Sequence, residues 1–155
     1  PNGFVLPAGK IGVTTALLAL VQNDDQLATV IGHEVAHVVA RHAAERNSTS
    51  ALAGIAGQVA GGLAGDYGQQ AASATGLFAQ YGALLPFSRR DELEADRIGV
   101  DFLAAAGYRP SQSVALWRLM AAQGASNTPE FASTHPSDTT RIAALEQYIA
   151  SRGWN

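Results

Sequence analysis

The chain has no cysteine among its 155 residues, which excludes disulfides and thiolate metal sites. Charge is scarce as well: Asp, Glu, Lys and Arg make up 15% of the residues, against about a quarter in an average domain. The ten basic residues are scattered and the net charge is −3, so the footprint of a nucleic-acid binder is missing and nucleic acid is not an expected partner. There is also no strongly apolar run of the roughly 20 residues that a membrane span needs. Residues 47–65 come nearest, being uncharged, and Gly57, Gly61 and Gly65 follow the small-residue spacing of membrane helix dimers. Gln58 and the many glycines argue against a span, and the stretch reads as a flexible helix-and-loop lid or a surface that touches membrane. An initiator Met and a signal peptide are both missing ahead of Pro1, so the chain is expected to be a processed piece of a longer product whose N-terminal part is absent.

What is present suits one domain over residues 1–155, mainly α-helical with a small β element. Two short β-prone runs, Phe4–Leu6 and Ile11–Thr15, flank Pro7-Ala8-Gly9-Lys10 and predict a hairpin. Ala16–Val21 predicts a short helix. Asn23 is the expected cap of a longer one, with Asp24 and Asp25 in its first turn and Leu27, Val30, Ile31, Val35 and Val38 as its apolar stripe, running to about Arg46. A helix is allowed over 69–85, interrupted by Pro86. Asp91–Ala106 predicts another, stopped by Gly107, then Ser111 to about Gln123. A polar loop over 124–134 and a helix capped by Ser137 or Asp138 complete the chain. Phe102, Trp117 and Met120 are expected in the core.

The chemistry concentrates in Ile31-Gly32-His33-Glu34-Val35-Ala36-His37. On a helix, residues four apart are only about 40° from each other around the axis, so His33 and His37 point one way and grip one ion. Glu34 is turned about 100° from His33, where it flanks the ion and reaches a water. His42 is about 140° round from His37 and reads as a solvent or helix-end residue. Two histidines need at least one more protein ligand. Glu92 and Asp96, again four apart, supply a carboxylate for the metal and a second carboxylate to accept the N–H of a ligand histidine, while Glu94 faces elsewhere. Ala40 and Ala43 stand where a metzincin needs Gly and His, and a peptide deformylase of the usual type needs a cysteine; both are excluded.

His33-Glu34-x-x-His37, followed by Ser88-Arg89 and Glu92-x-x-Ala95-Asp96, resembles the HtpX and CaaX-prenyl-protease family of zinc metallopeptidases, and within it the BepA- and LoiP-like branch of the bacterial envelope. Phe4-x-Leu6-Pro7-x-Gly9, Asn23-Asp24-Asp25-Gln26-Leu27-Ala28 and Ser133-Thr134-His135-Pro136 extend the likeness over most of the chain. The resemblance implies a gluzincin-type zinc peptidase domain: α+β, mainly α-helical, with a small β-hairpin or sheet beside the active-site helix. It implies one Zn2+ per chain held by His33, His37 and Glu92, Glu34 as general base and Asp96 behind the ligands. It adds His135, either capping the metal to keep the site latent or helping to stabilise the transition state, and Arg141 facing the substrate cleft.

The expected activity is zinc-dependent endopeptidase cleavage of misfolded or misassembled envelope proteins. Extended substrate would add to a sheet edge, for which Ile11–Thr15 is the candidate. The competing reading is a chaperone-like envelope assembly factor with a closed, rarely active zinc site. Protein or peptide substrates are the expected partners, with peripheral membrane contact or outer-membrane assembly partners alongside. The expected location is the bacterial cell envelope, in the periplasm.

Overall fold

The computed structural model describes residues 1–6, 9–46, 48–49, 51–52, 55, 88–123, 135 and 139–154. Residues 1–40 and 86–155 form one compact unit and residues 41–85 a second. Most of the 47–65 stretch, the helix allowed over 69–85, Pro86, the loop over 124–134 and the caps Ser137 and Asp138 lie outside the described residues.

In the first unit, β1 (Gly3–Leu6) pairs antiparallel with β2 (Lys10–Val13), with Gly3 opposite Val13 and Leu6 opposite Lys10. Gly9 takes φ 76°, a left-handed turn conformation that suits glycine. The Thr14 N–H donates to the Asn2 carbonyl at 2.9 Å, marking a bonded pair. The alternation of an antiparallel ladder therefore directs the backbone groups of Phe4 toward β2 and those of Gly3 and Val5 to the outer edge. On that outer edge the Val5 N–H reaches Glu34 of the long helix α2, which packs on β1. A Cβ on Gly3 would meet Val30 Cγ1 at 2.6 Å, so the close approach of strand to helix depends on that glycine. In a two-stranded sheet both strands are edges: the expected Ile11–Thr15 edge falls on β2, which runs Lys10–Val13, and β1 is the strand packed on α2.

Helix α1 (Thr15–Leu20) is capped by Thr14 and seals the hairpin with Leu17, which is fully buried. Helix α2 (Asp24–Val39) starts as its sequence requires: the Asn23 side chain accepts the Gln26 N–H at 3.0 Å, and Asp24 and Asp25 occupy the first turn. It ends seven residues before the expected Arg46. Arg41 adopts φ 60°, and the chain turns helical again from residue 42. His42, in the second unit, is buried rather than solvent-facing.

Helix α3 (Arg89–Ala105) opens with a capping box in which Ser88 and Asp91 each bond the other's backbone N–H. It closes at Gly107, φ 82°, while the Tyr108 N–H returns to the Leu103 carbonyl at 2.9 Å. Helices α4 (Ser111–Ala122) and α5 (Thr139–Ser151) complete the unit. The most extensive packing is between α2 and α3; α4 lies against α2, and α5 against α3 and α4. Leu17, Val30, Val100, Val114, Leu116, Trp117, Met120, Ile142, Leu145 and Ile149 form the core.

This is the α+β, mainly helical architecture with a two-stranded sheet that the sequence implied. One feature of α2 differs. Its buried face carries Gln26, Thr29, His33, Glu34 and His37, whereas Leu27, Ile31 and Val35 line an open groove of about 370 Å³ with Phe102 and Tyr108. Phe102, expected in the core, is 38% exposed on that groove, and Val38 is 51% exposed. The polar face is turned inward because Gln26 bonds Gln112 of α4 and His33 meets Glu92 and Asp96 of α3.

Candidate metal centre

Two helices and His135 build the donor cluster. The one-turn spacing on α2 brings His33 Nε2 within 3.1 Å of His37 Nε2. From α3, Glu92 places Oε2 3.3 Å from His33 Nε2 and Oε1 3.2 Å from His37 Nε2. His135 adds Nδ1, 3.2 Å from His33 Nε2 and 2.9 Å from Glu92 Oε1. All four residues are buried, and one ligand atom from each lies within 4.8 Å of every other.

The donor set fits a metal ion. Four donors at 2.0–2.1 Å around a tetrahedral centre stand about 3.3 Å from one another, close to the spacings just given. Three imidazole nitrogens and a carboxylate oxygen, with no thiolate, suit a divalent transition ion rather than a hard cation that wants only oxygen. Burial pushes His37 down to about 4, and burial also lowers His135, so both rings are neutral near neutral pH. Burial opposes the charge on Glu92, but His135, His33 and His37 outweigh it and hold the carboxyl far below the usual range. Burial also opposes charge on His33, yet Asp96 and Glu92 outweigh it and raise the ring to about 9, so this ligand has a proton to release when it binds a cation.

Asp96 lies behind the donors: its Oδ1 is 3.0 Å from His33 Nδ1, where accepting the N–H leaves Nε2 turned to the cluster. Glu34 lies to the side, buried, with Oε1 3.3 Å from His135 Nε2. Burial lifts its carboxyl to about 7, opposed by His33, reinforced by Glu92, and opposed again by the Val5 N–H of the outer edge of β1. Glu34 therefore sits between the donor cluster and the outer edge of the strand. Glu94 is exposed, as its position on the helix requires.

Arg141 differs most from expectation. Rather than facing a substrate cleft it is 1% exposed, with Nε and Nη2 donating to Asp96 Oδ2 and Oδ1 at 2.5 and 2.8 Å and Nη1 2.7 Å from Glu92 Oε2. The reason is electrostatic: two buried carboxylates one helical turn apart require a cation between them. Trp117, assigned to the core by its spacing, also walls the site. Its ring meets His33 edge-on at 5.3 Å and lies 5.0 Å from the Arg141 guanidinium carbon. No local pattern in the sequence signals either contact, since both partners come from distant helices.

Known proteins resemble this chain along nearly its whole length. The mitochondrial metalloendopeptidase OMA1 of Schizosaccharomyces pombe is 41% identical over 152 residues, covering 96% of this chain and 44% of that protein. Its namesake in Arabidopsis thaliana is 39% identical over 146 residues, covering 94% of this chain and 29% of that protein. The beta-barrel assembly-enhancing protease of Escherichia coli K12 is 31% identical over 150 residues, covering 92% of this chain and 31% of that protein. The chain thus spans less than half the length of each of these relatives. The match to peptidase family M48 runs from residue 1 to residue 149, taking in the helices that carry His33, His37 and Glu92 and the loop that carries His135, and the chain belongs to that family.

Proposed function

We propose that this chain is the catalytic domain, one domain over residues 1–155, of a zinc-dependent endopeptidase. The observation that carries this reading is the buried set His33, His37, Glu92 and His135, spaced as metal donors, with the Glu34 carboxylate alongside and turned to the edge of β1. His33, His37 and Glu92 hold one Zn2+ per chain, and Asp96 fixes the His33 ring. A bound zinc supplies Lewis-acid polarisation of a peptide carbonyl and acidification of the attacking water. Glu34 takes the proton of that water at its carboxylate and hands it to the leaving amine. The low-dielectric surroundings that lift Glu34 toward 7 suit this work, because a base of that strength both accepts and releases a proton near neutral pH. Extended substrate adds along the outer edge of β1, where the Val5 N–H reaches Glu34, which delivers its carbonyl beside that carboxylate.

The position of His135 favours a site that rests closed. Its Nδ1 takes the fourth donor position while its Nε2 covers Glu34. That observation also supports the second reading, an assembly factor that binds client proteins and seldom cuts them. Misfolded or misassembled envelope proteins are the proposed substrates, in the bacterial periplasm at a membrane surface. The name of the E. coli relative supports this location, whereas the mitochondrial relatives support an organellar one. No helix among the described residues is long and apolar enough to cross a membrane.

The test is cleavage of an unfolded protein by the zinc-loaded chain and by His135→Ala, each with and without Glu34→Gln. Cleavage that Glu34→Gln abolishes supports the endopeptidase. If neither parent nor His135→Ala cuts while both bind the unfolded protein, the assembly-factor reading replaces it.

A further inference from the structure

We propose that Arg141 is a positioning residue for the metal centre: its guanidinium holds Glu92 and Asp96 in register with one another and so sets the aim of two of the donors. The inference rests on the metallopeptidase reading and assigns Arg141 a place behind the metal, not in a substrate cleft.

Every nitrogen of the guanidinium is committed. Nε and Nη2 donate to the two oxygens of Asp96 in a fork, and Nη1 forms an ion pair with Glu92 Oε2 at 2.7 Å and makes a long contact of 3.5 Å to the His135 carbonyl. Each contact constrains a different donor. With both oxygens of Asp96 held, its Oδ1 stays on His33 Nδ1, which fixes the rotation of the ring and the direction of Nε2. With Oε2 of Glu92 held, Oε1 is the oxygen turned to His37 Nε2 and His135 Nδ1, at 3.2 and 2.9 Å. The guanidinium itself is fixed by Trp117 over its face, and the residue comes from α5, an element that supplies no donor.

Placement gives the same assignment a second argument. Glu92 and Asp96 are buried on one face of α3, one helical turn apart. Arg141 lies 2.7 Å from one and forks onto the other, so a single group ties the residue facing the donor cluster to the residue facing a ligand histidine. A lysine reaches this place with a single ammonium and cannot satisfy a fork and a second carboxylate in one plane.

The experiment measures metal binding, not proteolysis. Zinc affinity by competition with a chromophoric chelator and the absorption spectrum of the Co2+ form are compared among the parent, Arg141→Lys and the double variant Arg141→Met/Asp96→Asn. The double variant removes the buried ion pair as a unit, so it reads the site if the single variant does not fold. The expected result is a loss of roughly 10- to 100-fold in zinc affinity and a changed Co2+ spectrum, measured on protein shown folded by circular dichroism. A merely structural ion pair would lower thermal stability and leave affinity and spectrum of the folded protein as they were. That outcome overturns this inference alone, because the parent still binds. A parent chain that binds no metal overturns the metallopeptidase reading and this inference with it.

Discussion

Gly32 of α2 and Gly99 of α3 cross backbone to backbone. A Cβ on Gly99 would stand 3.1 Å from the His33 nitrogen, and one on Gly32 would stand 3.1 Å from the Gly99 carbonyl oxygen. The two helices touch at the residue beside His33, so the donors of α2 and the carboxylates of α3 face one another at a separation their side chains can span. Any side chain at the crossing moves Glu92 and Asp96 away from His33.

Gly99→Ala is therefore expected to destabilise the protein although alanine is the better helix former. The helical gain is about 1 kcal/mol. Overpacking against backbone that cannot rotate away costs roughly 1–3 kcal/mol. The net loss lowers the melting temperature by about 2–4 °C per kcal/mol in a chain of this size, and metal affinity falls with it. A melting temperature raised by Gly99→Ala would show that the helices slide apart freely and that the crossing does not set the site.

These glycines show where the sequence was legible and where it was not. The i, i+4 pairs His33/His37 and Glu92/Asp96 were readable because a helix converts spacing directly into direction. Asn23 and Gly107 marked helix ends because caps are local chemistry, while Ser88 caps α3, which begins at Arg89, two residues ahead of the expected start at Asp91. Nothing local marks Gly32 and Gly99, since their value lies in an approach between elements far apart in sequence. Arg141 was placed in a cleft because its partners, Asp96 and Glu92, are 45 and more positions away. The break at Ala40 and Arg41 carries neither Gly nor Pro, so helical periodicity ran on past it to Arg46. The inward turn of the polar face of α2 was hidden for a related reason: its apolar stripe promised a core and instead lines a groove with Phe102.

Asp25 ties the start of α2 to the turn before α4. Its Oδ1 accepts the Arg109 N–H at 2.8 Å and its Oδ2 pairs with the guanidinium at 2.6 Å. The Arg109 backbone bond, then its side chain, lowers the Asp25 pKa. A carboxylate depressed in the folded state contributes stability above its unfolded pKa and loses it as pH falls through the folded value. Between pH 6 and pH 3 the parent is expected to lose more melting temperature than Asp25→Asn. Equal losses in the two proteins would show that the pair contributes no linkage.

Removing metal is expected to destabilise the chain markedly, since an ion held only by the folded cluster adds its binding free energy to folding. Free zinc at 1,000 times its dissociation constant stabilises by about 4 kcal/mol through mass action. At about 2–4 °C per kcal/mol, calorimetry with zinc against calorimetry with a chelator gives a shift of roughly 8–16 °C. His37→Ala, which deletes one donor, shrinks that shift. An identical melting temperature with and without zinc would contradict a bound ion in this cluster.

His135 separates blocking from helping, because its two ring nitrogens face different parts of the site. Nδ1 stands 2.9 Å from Glu92 Oε1 among the donors, and Nε2 stands 3.3 Å from Glu34 Oε1. His135→Ala leaves His33, His37 and Glu92 to hold the ion, so zinc affinity falls but binding persists. The same change opens the fourth position and uncovers Glu34. If the ring is a cap, kcat/KM on an unfolded protein or a peptide rises, and the chelator concentration needed to silence the enzyme falls. If the ring instead donates to the oxyanion during turnover, its loss costs roughly 10²–10³ in kcat with zinc still bound. The expected outcome is the rise, because a ring held by both Glu92 and Glu34 at rest must leave at least one of them before a water and a carbonyl enter. A fall in kcat at full zinc occupancy would assign His135 to the transition state.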